Sequence, residues 1–126
     1  MYSKIKILIA EDDHFSCILI KEYLKSLNAD IKKVRNGQEA VKFCMESPPD
    51  LVLMDILMPG MCGIEAMKQI KKDNPEIKVL AQTAYGTHEK INEIINAGFD
   101  AIILKPYKKE DLLNLVKREL DKTTVV

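Results

Sequence analysis

Five short apolar runs punctuate the chain, each the length of a strand: Ile5–Ala10, Asp30–Val34, Leu51–Met54, Ile77–Ala81 and Ala101–Leu104. Four are near-continuous apolar segments, the signature of strands buried on both faces of a sheet. The second, Asp30–Val34, is weaker and reads as an edge strand. Between the runs, apolar residues recur at helical spacing. Cys17, Ile20, Leu24 and Leu27 mark a helix over Ser16–Leu27, and Ala40, Val41 and Cys44 one over Gln38–Met45. Ile64, Met67 and Ile70 mark Ile64–Lys72, with Ile91, Ile94 and Ile95 forming a stripe in His88–Ala97. Leu112, Leu113, Val116 and Leu120 face inward from Glu110–Leu120. Asn28, Asn36-Gly37, Pro48-Pro49, Asn74-Pro75 and Gly98 supply the stops. Strict alternation of strand and helix predicts an α/β fold, a doubly wound parallel sheet with helices on both faces.

Parallel strands point their carboxyl ends at one edge, where open α/β sheets hold ligands. The residues just past those ends are Glu11, Asp12 and Asp13, then Asp55, then Thr83 and Ala84, then Lys105. Each has an ordinary reading: Asp55 as a turn cap, Asp13 as an acid at a helix start, Thr83 and Lys105 as loop and surface groups. Together they say more. Two carboxylates about 4 Å apart repel by about 4 kcal/mol at an effective dielectric near 20. Glu11, Asp12 and Asp55 against Lys105 carry a formal net charge of −2, which invites a divalent cation. All-oxygen donors favour Mg2+, which keeps waters and takes a phosphate partner; His14 lacks the second histidine that a transition-metal site would use. With the cation present, Lys105, the Thr83 hydroxyl and the Ala84 N–H are positioned to hold phosphoryl oxygens, leaving Asp55 as nucleophile.

Size and charge narrow the field. At 126 residues the chain forms one domain. Nineteen basic and nineteen acidic residues cancel, so neither a nucleic-acid nor an anionic-membrane surface is expected. No apolar run approaches the ~20 residues of a membrane span, and Met1–Lys6 lacks the core of a signal peptide. Cys17, Cys44 and Cys62 are an odd set without metal-ligand spacing, expected as thiols in a reducing compartment. The expected location is the cytoplasm.

Four motifs in order on the expected strands, Glu11-Asp12, Asp55-x-x-x-Pro59-x-x-x-Gly63, Thr83-Ala84 and Lys105-Pro106, resemble the receiver domain of two-component response regulators. The likeness covers residues 4–121 and leaves 122–126 as a tail or linker stub. It implies a flavodoxin-like sandwich with strand order 2-1-3-4-5, and a domain that takes a phosphoryl group without being a turnover enzyme. Asp55 would accept that group from a phosphohistidine on a sensor histidine kinase or histidine-phosphotransfer protein. Asp12 and Asp55 would ligate Mg2+ directly, Glu11 through water, and Leu57 through its backbone carbonyl. Thr83, Ala84 and Lys105 would bind the phosphoryl oxygens, and the peptide bond to Pro106 would be cis. The receiver would be a monomer or a weak phosphorylation-dependent dimer. Glu11-Asp12 and Ala81–Ala84 are similar to receivers of hybrid histidine kinases.

The chain departs from the family pattern at Cys62, often Asp, and at Ile102, often an aromatic that moves with the threonine. Leu57 and Tyr85 are bulky where an attacking water would approach, which predicts slow self-dephosphorylation. Phe15 and Ile18–Ile20 make the first helix apolar beyond the stripe it must bury, so Phe15 and Leu19 are expected to dock the partner's helical hairpin. Two other functions fit less well. A phosphohydrolase of the haloacid-dehalogenase type would resemble Asp-x-Asp, where Leu57 stands at the second position. A phosphorylation-independent binding module would be expected to lose Glu11, Asp12, Asp55 or Lys105.

Overall fold

The alternating pattern forms a parallel five-stranded sheet in a computed structural model that describes residues 4–84 and 86–122. Strands β1 (Lys6–Ala10), β2 (Asp30–Val34), β3 (Leu51–Asp55), β4 (Lys78–Thr83) and β5 (Ala101–Leu104) lie in the order β2-β1-β3-β4-β5. Helices α1 (His14–Tyr23), α2 (Gly37–Glu46), α3 (Gly63–Asp73), α4 (His88–Ala97) and α5 (Lys109–Asp121) connect or follow them. The chain winds outward from β1 to β2, then crosses back to β3. That reversal separates the connections leaving β1 and β3 and opens a crevice between their carboxyl ends.

Side chains alternate along each strand and divide the core in two. On one face Leu8, Ala10, Val52, Met54, Val79 and Ala81 pack under α2, α3 and α4 with Ala40, Cys44, Ala66, Met67, Ile70 and Ile94. On the other Ile7, Ile9, Leu51, Leu53 and Leu80 pack under α1 and α5 with Cys17, Ile20, Leu24, Leu112 and Val116. Strand β3 is buried at all five positions, so its last residue, Asp55, is carried into the core's edge. Truncating Leu53 there to alanine would cost roughly 2–5 kcal/mol.

Helix α1 differs from its expected span. It begins two residues earlier, at His14, because Asp13 caps it: Ser16 donates its N–H (3.0 Å) and its hydroxyl (2.7 Å) to Asp13 Oδ2. It also stops at Tyr23, and Lys25–Leu27 tighten into a 3-10 turn closed by Asn28 in the left-handed region at φ 52°. Ile95, expected inward on α4, is half exposed, because only Ile94 fits fully against the sheet. Glu119 was not anticipated in the buried stripe of α5; it is 1% exposed and pairs with Lys122 (2.9 Å) and Arg118 (3.6 Å). Among the described residues no helix is long and apolar enough to cross a membrane. Tyr85 and the tail at 123–126 lie outside the described residues.

Candidate phosphoryl and metal site

The carboxyl ends of β1, β3, β4 and β5 converge on one acidic crevice. Glu11 continues β1 by donating its N–H to Val34 O (3.0 Å) and is only 2% exposed. Its Oε1 accepts from Lys105 Nζ (2.9 Å) and Gln82 Nε2 (3.3 Å), and its Oε2 from the Asp13 N–H (3.2 Å). Asp55, 7% exposed, is held more loosely: Lys105 Nζ stands 3.4 Å from Oδ2, and the Leu57 N–H 3.3 Å from Oδ1. Asp12 projects into solvent. Glu11, Asp12 and Asp55 each place a carboxylate oxygen within 4.8 Å of the others.

Electrostatics at this crevice are unbalanced. Burial pushes the Glu11 carboxyl above its usual range; the Lys105 hydrogen bond opposes that, and neighbouring Asp55 adds to it. Burial alone would lower the Lys105 ammonium, but its bond to Glu11 and the charges of Asp55 and Glu11 win, and the net shift is upward. Three carboxylates with one lysine, two of the acids buried and no imidazole or thiolate in the cluster, suit a hard divalent cation. The residues therefore fit Mg2+.

A glycine sets the place of Asp55. The Gly63 N–H donates to Ile56 O (3.1 Å), which folds the loop after β3 back over the strand end. A Cβ on Gly63 would stand 2.4 Å from the Asp55 carbonyl oxygen and 3.0 Å from the Ile56 Cα. Only a residue without a side chain permits that approach.

Of the residues singled out from the sequence, Glu11, Asp12, Asp55 and Lys105 are brought together here. Lys105 is drawn in by its own N–H, which donates to Thr83 O (2.8 Å), and its peptide bond to Pro106 is cis. Thr83 is buried and Ala84 exposed just beyond it. Thr83 lines a groove of about 290 Å3 with Ile56, Leu57, Ile64, Lys90, Glu93 and Ile94. The Leu57 side chain is 57% exposed at that groove's edge. On α1, Phe15 is 77%, Ile18 52% and Leu19 50% exposed, an apolar patch beside the crevice. Leu19 lines a second groove, about 250 Å3, whose other walls include Tyr23, Lys105, Pro106 and Tyr107. Phe15 is not among its lining residues and packs edge-on against His14.

Gln82 was not expected in the site, and Tyr107, which follows Lys105-Pro106 and so lies next to it, was not expected to bond there. Gln82, fully buried, bonds Glu11, and Tyr107 donates its hydroxyl to Gln82 Oε1 (2.9 Å) while resting edge-on against Tyr23. Period-two counting would have found the first. Position 82 shares a face with Leu80, whereas Thr83 shares one with Ala81; β4 pairs Gln82 with Asp55 in register.

Comparison with known proteins agrees with this geometry. The family model for the response regulator receiver domain matches residues 7–117. Response regulator protein VraR of Staphylococcus aureus is 40% identical over 117 residues, covering 90% of this chain and 56% of VraR. The chain thus spans about half the length of that relative. Among solved structures, the signal receiver domain of a signal transduction histidine kinase from Syntrophus aciditrophicus is 32% identical with a TM-score of 0.86, covering 96% of this chain and 93% of its own. The receiver domain of sensor histidine kinase PA1611 from Pseudomonas aeruginosa, described with a magnesium ion coordinated in its active-site cleft, is 25% identical with a TM-score of 0.87, covering 94% and 99%.

Proposed function

Because this chain belongs to the receiver-domain family of response regulators, phosphoacceptors of two-component systems, we propose that Asp55 is its phosphorylated residue. The observation that carries this reading is the loose hold on a buried carboxylate. Asp55 has one long contact to a lysine that bonds Glu11 more closely. Its oxygen is available to attack. In the transfer, an Asp55 carboxylate oxygen forms a bond to phosphorus as the bond from phosphorus to the partner's imidazole nitrogen breaks, and the electron pair leaves with the imidazole.

Glu11, Asp12, Asp55 and the Leu57 carbonyl would hold Mg2+, with Glu11 acting through water. The cation supplies charge neutralisation for the incoming phosphoryl oxygens. Lys105 is already within reach of Asp55 and turns toward the phosphoryl group it would carry. Thr83 and the Ala84 N–H bind its remaining oxygens, from the end of β4. The domain is taken as residues 4–121.

The donor is a phosphohistidine on a sensor histidine kinase or histidine-phosphotransfer protein, an exchange that fits the cytoplasm. Leu19 and Phe15 form the apolar ground on which its helices dock, because both are exposed on the helix that flanks the crevice. Leu57, bulky and at the crevice's edge, screens the acyl phosphate from water, so the phosphorylated state decays slowly.

Incubation with a small-molecule acyl phosphate and Mg2+ should attach a single acid-stable, base-labile phosphate. Labelling that survives in Asp55→Asn, or proceeds without a divalent metal, would overturn the assignment.

A further inference from the structure

A directional hydrogen-bonded line joins the acidic crevice to the groove against α1. Tyr107 Oη donates to Gln82 Oε1 at 2.9 Å, and Gln82 Nε2 donates to Glu11 Oε1 at 3.3 Å. The direction is forced. An ionised carboxylate only accepts, so the amide must turn its NH2 toward Glu11 and its oxygen away. That oxygen lies in a fully buried residue and needs a donor, which the phenol provides. A flipped amide would set its oxygen against the carboxylate and lose the bond to Glu11. Among the described residues no buried side-chain nitrogen or oxygen lacks a partner.

We propose that Gln82, its amide oxygen held by the Tyr107 hydroxyl, is a positioning residue that holds the Glu11 carboxylate in place for the cation. The inference rests on reading the crevice as a Mg2+-dependent phosphoacceptor site. Glu11 Oε1 has two donors, and Lys105 is the one that would be re-aimed at a phosphoryl oxygen. The remaining donor has to keep a carboxylate that is 2% exposed from losing its partners. It also has to do so without a positive charge, since a second ammonium would neutralise the very excess that attracts the metal. A buried amide meets both requirements. A leucine would leave Oε1 to Lys105 alone, and Tyr107 would act only through the amide.

The test is Mg2+ affinity of the full chain, measured by calorimetry for the wild type, Gln82→Leu, Tyr107→Phe and the double variant, with thermal unfolding followed alongside. Losing the bond to the carboxylate predicts roughly 10-fold weaker binding for Gln82→Leu, and losing the neutral phenol–amide bond about 3-fold for Tyr107→Phe. The double variant should match Gln82→Leu, because both changes cut one line. The Mg2+ concentration giving half-maximal phosphorylation by an acyl phosphate should rise by the same factors, while the plateau rate stays within about twofold. Affinities within twofold of wild type, or additive losses in the double variant, would overturn the proposal. If Gln82→Leu does not fold, Tyr107→Phe, which removes a single oxygen, decides alone. A wild type that binds no Mg2+ would instead defeat the phosphoacceptor reading on which the proposal stands.

Discussion

Acids stand at both edges of the sheet, and they are employed differently. At the amino edge, Asp50 accepts the Lys6 N–H (2.8 Å), while Asp100 accepts the Val79 N–H (2.8 Å) and Lys71 Nζ (2.6 Å). Each carboxylate closes a strand start and is satisfied by short bonds. At the carboxyl edge, Glu11, Asp12 and Asp55 crowd around a single ammonium, and Asp55 reaches Lys105 only at 3.4 Å. Residue type is the same at both edges; the crowding of carboxylates around one ammonium separates chemistry from structure. A carboxylate whose partners are complete holds the fold, and one in excess is left with affinity to spend on a cation or a phosphoryl group.

The comparison breaks most visibly if the two sets respond alike to substitution. Asp55→Asn should lower phosphate incorporation at least about 100-fold by intact mass, and should leave the melting temperature unchanged or raise it, since it removes repulsion near Glu11. Asp100→Ala should do the reverse. Phosphorylation stays within about twofold, while the unpaired Val79 N–H and Lys71 cost roughly 1–3 kcal/mol of stability by denaturant unfolding. Phosphorylation lost in Asp100→Ala would erase the distinction.

A smaller effect sharpens it. Mg2+ at 100 times its dissociation constant should stabilise the wild type by about 2.7 kcal/mol. Asp12→Ala should lose most of that gain, because it removes an exposed member of the uncompensated set. Asp100→Ala should keep it.

The smallest concerns Asp13, which sits at the carboxyl edge yet behaves like the amino-edge acids. Its bonds from the Ser16 hydroxyl and N–H hold its carboxyl below the usual range. A depressed folded value means the contribution is present above the ordinary carboxylate range and lost as pH falls through the folded one. Below about pH 4, acid unfolding followed by circular dichroism should therefore be shallower in Asp13→Asn than in the wild type, with phosphorylation retained.

Much of this was legible in the chain because parallel sheets need crossovers. Buried runs such as Leu51–Met54 have no polar alternation to misplace, and the charged residues ending them had to meet at one edge. The strand order was not legible from any local pattern and came with the family resemblance. Local competition hid the rest. Asp13 and Ser16 start α1 earlier than its apolar spacing suggests, and the 3-10 turn after Tyr23 preserves the burial of Leu24 after the α-helix has ended. Ile95 shows that a stripe of spacing can be wider than the face that packs. Gln82 and Glu119 were missed for a shared reason: a polar residue at a core-facing position looks like surface until the partners that satisfy it are seen.

Gly63 gives the crevice a property that matters for how this protein can vary. The backbone of Asp55 fills the space where any other residue would place its first side-chain carbon. Changes on Leu57 or Met61 can retune the loop's surface while the Asp55 carboxylate stays where it is. A change at position 63 has no such freedom, because it must move the strand end itself. The loop thus offers many positions that can vary, and one at which the place of Asp55 is inherited whole or lost.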